Sequence, residues 1–358
     1  MNISLFKTIL LGVSIVLLFS ATAVVGYSFY QLHFKTLVGE SLSIKQGFLE
    51  VVYNSAEEDD EKIILTGDIM LARDVERRQS LLSPGHSLSE LEDLFKSSIV
   101  VGNFEASIPV LHEPTPSMVM KFSVTPQNLD ILVQGGLTHL SLANNHSLDH
   151  GLLGYENTLT ELHERGFVAG GYPVGLSSSS VSYVEANDKK FALVFINATF
   201  SYPDTAIWHP FIKQAESSSD AVIVYIHWGD EYELIHNNAQ ERLAHELIDA
   251  GVDLIVGHHP HVVQDIELYK GRLVFYSLGN LVFDQYWNND VSEGLILELE
   301  KVDAMWRAEL HPVESRTVKT QPQEMTAEES QAFFRRLAER SDEALYEQIL
   351  DGSLSLQF

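Results

Sequence analysis

The sequence predicts an α/β fold with at least partly parallel strand pairing. From Lys62 onward, short apolar strands, polar loops and amphipathic helices follow one another in a repeated rhythm. Several strands, such as "VIVYI" at 222–226 and "DLIV" at 253–256, are continuous apolar runs, which suit strands covered on both faces. Just beyond the strand ends stand side chains bearing oxygen and nitrogen, at the edge where open α/β sheets bind ligands.

The elements follow in order. "KIILT" leads into Gly67 and Asp68, "SIVVG" into Asn103 and Glu105, and "THLSL" into "ANNH", which holds Asn145 and His146. His139, inside "THLSL", reads as a core histidine. "GYENTLTELHERG" is helix-like, and "KFALVFIN" after it is a strand. "DAVIVYIHWG" carries His227. Apolar spacing at Leu243, Leu247 and Ile248, with Gly251 as a stop, predicts a helix over Ala239–Ala250. "VDLIVGHHPH" then ends in His258, His259 and His261, and "RLVFYSLGN" ends in Asn280. "GLILELE" and "RAELHPV" are antiparallel strands completing a sheet, which makes the pairing mixed. "LSSSSVS" reads as a loop. Residues 316–358 form an extension, acidic and helical from Thr326, whose apolar positions pack it on the body; no internal repeat is visible.

Ahead of this body lies a different composition. Ile9 to Tyr30 is an uncharged run of 22 residues, enough to span a hydrocarbon core of about 30 Å. Residues 1–35 are therefore expected to be an N-terminal transmembrane helix, the alternative being a cleaved signal peptide with "ATA" at Ala21–Ala23 as its cleavage site. Lys7 before the run stays inside, which places the body beyond the cell membrane, periplasmic or extracellular. Residues 36–61, closing with "EEDDE", are an acidic, extended linker.

Charge and cysteine content narrow the chemistry. With 50 acidic and 23 basic residues the formal charge is −27, the opposite of the basic footprint nucleic acid requires. There is no cysteine, so disulfides, thiolate metal sites and a cysteine nucleophile are excluded. Any metal is held by nitrogen and oxygen. Three histidines within four positions, with Pro260 stiffening their loop, are an unusual end for an apolar strand. A His-x-His pair on extended backbone aims two imidazoles at one or two ions. Asp68, Asn103, Glu105, Asn145, His146 and His227 stand at the other strand ends. Carboxylate, amide and imidazole without thiolate suit one or two divalent ions of manganese, iron or zinc. Two such ions bridged by a carboxylate, about 3.5–4 Å apart, suit hydrolysis of phosphoesters.

In order, "LTGDIMLARDVE", "VGNFEASI", "SLANNHSLDHG", "IHWGDEYE", "GHHPHVVQ" and "YSLGNLVFDQ" resemble the motifs of the CapA family. These are poly-γ-glutamate capsule synthesis proteins of the calcineurin-like metallophosphoesterase superfamily. The resemblance runs from Lys62 to Val313. It implies a layered metallophosphoesterase-like fold with central mixed sheets flanked by helices over 62–315. It also implies roles: Asp68, Glu105, Asn145, His227, His259 and His261 as metal ligands, with Glu105 in the bridging place, and His146 as general acid. His258 is spare. Met70 stands where the superfamily has a histidine, which takes one ligand from the site. Arg73, Asn103 and Asn280 are expected at the substrate, Arg73 as a bidentate holder of an anionic group. Asp284 and Gln285 are weaker candidates for substrate contact, Asp149 is expected to cap the following helix, and Trp228 and Tyr232 either border a cleft or pack.

Three functional classes remain open at this level. One is a membrane-anchored protein of capsule, poly-γ-glutamate or related surface-polymer biosynthesis or export, working beside membrane-bound polymer synthetase subunits with a hydrolase-type site. The others are a stand-alone metallophosphoesterase and a non-catalytic accessory scaffold. The substrate is an anionic polymer or a phosphoester.

Overall fold

The computed structural model describes Ile44–Lys45, Phe48–Leu49 and residues 62–358 apart from 83–85, 201–204 and 304. The apolar run Ile9–Tyr30 and most of the acidic linker lie outside these residues. Among the described residues no helix is long and apolar enough to cross a membrane. Within the linker, β1 (Ile44–Lys45) and β2 (Phe48–Leu49) pair antiparallel.

The body from residue 62 holds two sheets. In the first, β3 (Ile63–Ile69), β4 (Ile99–Phe104), β5 (His139–Ser141) and β6 (Val168–Gly170) run parallel in that order. β14 (Glu293–Val302) pairs antiparallel with β3 and β15 (Met305–Glu314) antiparallel with β14. The short β13 (Asn280–Val282) also pairs with β3. In the second sheet, β8 (Lys189–Asn197), β9 (Ala221–His227), β10 (Leu254–His258) and β12 (Arg272–Phe275) are parallel neighbours. β7 (Val181–Ala186) and β11 (Ile266–Tyr269) close its edges antiparallel. The expected mixed α/β architecture is thus realised as two mixed sheets.

Strand periodicity stacks the layers. Ile63, Leu65 and Val101 of the first sheet share one apolar core with Leu193, Phe195, Ile223, Tyr225, Leu254 and Val256 of the second. The alternate residues Ile64 and Val100 face outward onto a second core with Leu132 and Leu162. Val194, Val222, Val224 and Ile255 face a third, covered by Leu243, Leu247 and Ile248 of the helix Asn238–Asp249. Helices therefore flank two facing sheets, because a strand buried on both faces needs apolar cover on both. The helix Asn238–Asp249 starts one residue before the Ala239 expected from apolar spacing, because Asn237 caps it by accepting from Ala239 N and Gln240 N.

Four elements depart from expectation. The serine run does not remain a loop: it ends in a short turn at Ser178–Ser180, and β7 starts at Val181. A helix at Thr205–Ser218, carrying Pro210, lies between β8 and β9. The C-terminal extension is not purely helical. Besides the helices Ala327–Arg340 and Tyr346–Asp351 it supplies β16 (Gln323–Glu324) and β17 (Ser353–Leu356), both paired with β15. In β17 only Leu354 and Leu356 turn inward, an alternation too short to stand out in the sequence.

Candidate metal centre

The site forms where the carboxyl ends of the two sheets meet. Register aligns its residues: Asp68 on β3 lies opposite Asn103 on β4, and His227 on β9 opposite His258 on β10. Two glycines permit the crowding. A Cβ on Gly67 would stand 2.1 Å from the Gly279 carbonyl oxygen, and one on Gly257 would stand 2.0 Å from that of Tyr276. Each glycine directly precedes a site residue, Asp68 or His258, so close backbone approach is a condition of the site's assembly.

Two sets of ligating atoms result, sharing one carboxylate. Asp68, Glu105 and His227 form one set and Glu105, His259 and His261 the other, with atoms inside each set within 4.8 Å of one another. Glu105 Oε1 lies 3.6 Å from His261 Nε2, 3.8 Å from His146 Nε2 and 3.9 Å from His227 Nε2. Asn145 Oδ1 is 2.8 Å from His227 Nε2. His259 and His261 both adopt positive φ, 95° and 57°, a strained turn about Pro260 that still brings ligating atoms of both rings within 4.8 Å of a Glu105 carboxylate oxygen.

Neither oxygen of fully buried Glu105 has a hydrogen-bond partner, and Nδ1 of His259 is likewise unpartnered. A buried carboxylate left so costs several kcal/mol. A divalent cation between the two sets removes that cost, so these residues fit a metal ion. The electrostatics agree. Burial pushes the Glu105 carboxyl well above the usual range, with Asp68, Glu231 and Asp149 adding to the rise against the pull of His261. Burial also acts to raise Asp68, yet hydrogen bonds from His258 and His261 prevail and hold it well below that range. Burial pushes His227 down, and His259 down to about 4, so both are neutral imidazoles ready to donate a lone pair. His261 goes the other way, to about 9, since Glu105 and Asp68 overcome its burial.

Residues 62–285 match the family described as bacterial capsule synthesis protein PGA_cap. The chain belongs to this family. It is similar to the PGA biosynthesis protein CapA of Bacillus subtilis, 32% identical over 308 residues that cover 81% of this chain and 80% of that one. The capsule biosynthesis protein CapA of Bacillus anthracis is 32% identical over 273 residues, covering 69% and 66%. A probable polyglutamine synthesis accessory protein of Mycobacterium tuberculosis is 26% identical over 227 residues, covering 56% and 59%.

In this capsule-synthesis chain Met70 has no place among these ligating atoms. Its side chain is buried in the apolar core and its Sδ accepts from Ala72 N at 3.0 Å. His258 instead stands by Asp68, with Nδ1 3.5 Å from Oδ1, under the ring of Tyr225. The residues expected at the substrate sit as follows. Asn103 is buried, with Nδ2 2.7 Å from Asp68 Oδ1 and 3.1 Å from His227 Nδ1, so its amide is spent aligning two ligands. Asn280 Oδ1 lies 3.0 Å from His261 Nδ1 and its amide nitrogen donates to the Val291 carbonyl, fixing that ring from behind. Arg73 pairs with Asp284 and lays its guanidinium over Phe122, 4.7 Å from the ring centroid. Gln285 is buried and donates to Tyr232 Oη, while half-exposed Tyr232 meets exposed Trp287 edge to face at the rim. Trp228 packs in the interior, its Nε1 donating to the Tyr276 carbonyl.

Asp149 requires a correction. It does not cap the helix Gly151–Glu164, which has no side-chain cap. Its carboxylate instead accepts from Phe122 N at 2.6 Å and lies 2.8 Å from His146 Nδ1. Phe122 in turn stacks on His146, centroids 4.1 Å apart. Sequence reasoning missed Phe122, a single aromatic in a loop, and Asn144, whose amide donates to Asn103 Oδ1 and the Phe104 carbonyl. For Asn144 the signal was present in "ANNH", but adjacent asparagines do not reveal which one faces inward.

Proposed function

We propose that this protein is a membrane-anchored, extracytoplasmic member of the capsule-synthesis family that acts in making or exporting poly-γ-glutamate or a related anionic surface polymer, through a metal-dependent hydrolase-type site. The polymer context comes from the names of the relatives. The anchor reading rests on the uncharged run Ile9–Tyr30. The observation that carries the catalytic reading is the unpartnered, fully buried Glu105 carboxylate at the meeting point of His146, His227 and His261.

A divalent ion bound there would polarise the oxygen of a phosphoester or amide group and activate water. Asp68, Glu105, Asn145, His227, His259 and His261 are the residues that would hold it. The remaining chemistry belongs to the chain itself. His146, oriented through Nδ1 by Asp149 and held flat by Phe122, presents Nε2 toward the site as a proton donor to a leaving group. Asn103 and Asn280 keep the surrounding ligands in register. Arg73, paired with Asp284, lays its buried guanidinium over Phe122, whose ring also stacks on His146, and its charge suits an anionic substrate group.

The test is complementation in a capsule-forming host that lacks its own member of this family. Wild type is expected to restore surface polymer, and Glu105→Ala with His261→Ala to fail at equal membrane abundance. Full restoration by the double variant would remove the metal site from the function and leave a scaffold; failure of the wild type would remove the polymer role.

A further inference from the structure

A second group of ligating side chains lies outside the centre described above. Glu241 and His245 are four residues apart on the helix Asn238–Asp249, so they share one face. Glu267 reaches them from β11. The ligating atoms of the three lie within 4.8 Å of one another, and the side chains are partly exposed.

Three features distinguish this group from an ordinary surface pair. The first is that two of the donors, His245 and Glu267, are locked in place. The His245 ring lies flat on Tyr269, centroids 3.6 Å apart and planes 8° from parallel. Glu267 Oε2 accepts from Tyr276 Oη at 2.6 Å, which leaves Oε1 facing His245 Nε2 at 2.7 Å. An outer partner that fixes each ligand is characteristic of metal sites. The second is charge. Among the described residues no lysine or arginine pairs with Glu241 or Glu267; Lys270 pairs with Asp249 and Arg272 with Asp253. Two carboxylates thus face one imidazole with no permanent cation between them. The third is access, because partial exposure leaves room for a water molecule as fourth ligand and a path for the ion.

We propose that Glu241, His245 and Glu267 form a peripheral zinc site that ties the helix Asn238–Asp249 to β11. One imidazole and two carboxylates with an open fourth position match zinc coordination, with bonds of about 2.0–2.2 Å. The ion takes the place of the proton that His245 and Glu267 share, and that proton leaves to water. The site also touches the core of the fold, since Tyr276, which holds Glu267, accepts at its carbonyl from Trp228, the neighbour of His227.

The test separates this site from the central one. Full-length protein carrying Glu105→Ala and His261→Ala is compared with the same protein carrying His245→Ala as well, by zinc stoichiometry after dialysis and by the visible spectrum with cobalt. Adding His245→Ala is expected to remove one equivalent of zinc per chain, and Glu241→Gln to weaken that equivalent at least tenfold. Capsule complementation by His245→Ala alone is expected to be intact, because it leaves the central centre untouched. Equal zinc content with and without His245→Ala, or no zinc in either protein, would overturn the proposal and reduce the cluster to a hydrogen-bonded His–Glu pair.

Discussion

His146 holds Nδ1 2.8 Å from the Asp149 carboxylate while its Nε2 points at Glu105, 3.8 Å away. The same Asp149 oxygen accepts from Phe122 N, and Phe122 covers the His146 ring. One carboxylate therefore fixes the imidazole and the aromatic ring that covers it together. Asp149→Asn is expected to lower turnover of a generic phosphodiester by about 10–100-fold, the scale of a lost outer partner that orients a site histidine, while metal content stays unchanged. Unchanged turnover would show that His146 needs no orienting anion.

Asp149→Ala adds a cost in stability, because it also strands Phe122 N. A backbone donor that loses its bond in a part-buried place costs about 1–3 kcal/mol. The thermal midpoint of Asp149→Ala is expected to fall below that of Asp149→Asn. Equal midpoints would mean that water replaces the carboxylate at Phe122.

Gly257→Ala tests the assembly of the histidine loop. Its Cβ would press on the backbone oxygen of Tyr276 and on Trp228 Nε1, 2.5 Å away, neither of which is a flexible chain end. Overpacking of this kind costs typically about 1–3 kcal/mol or more. The variant is expected to lose both stability and central metal, since His258, His259 and His261 follow directly. A variant as stable as wild type with full metal content would contradict the packing described.

His139 gives the pH dependence. Burial lowers its pKa from 6.5 to about 4. The unfolded chain accepts the proton near 6.5 and the folded one only near 4. Stability is therefore fully present above the unfolded pKa and is lost as pH falls from about 6.5 toward 4. At pH 5 the loss is about 2 kcal/mol. Unfolding of wild type and His139→Gln at pH 7.5 and pH 5 isolates it, and wild type is expected to lose about 2 kcal/mol more than the variant. Equal losses would show that His139 carries its proton in the fold.

The legible part of this molecule is the part with long apolar runs. β3, β4, β9 and β10 are buried along their whole lengths, so each is visible as a run, and the polar residue ending it is visible as an interruption. That is why Asp68, Glu105, His227, His259 and His261 stand out in the sequence. The residues behind them do not. Asn280 acts through His261 from β13, and Asp149 gains its meaning from Phe122, 27 positions away across a loop. β7 was obscured by the serines before it, and β16 and β17 are too short for their alternation to register. Asp149 is drawn from the helix cap by a local pair with His146, three residues earlier, and by the tertiary contact with Phe122 N.

The proposed chemistry requires a cation between Asp68, Glu105, His227, His259 and His261. The measurement that tests it is manganese binding by the full chain beside Glu105→Ala with His261→Ala, each in a His245→Ala background to silence the peripheral cluster, followed by phosphodiester hydrolysis. Wild-type ligands are expected to hold one or two ions and to support metal-dependent turnover, and the double variant to lose both. A chain that takes up no manganese, iron or zinc with Glu105 and His261 intact would contradict it.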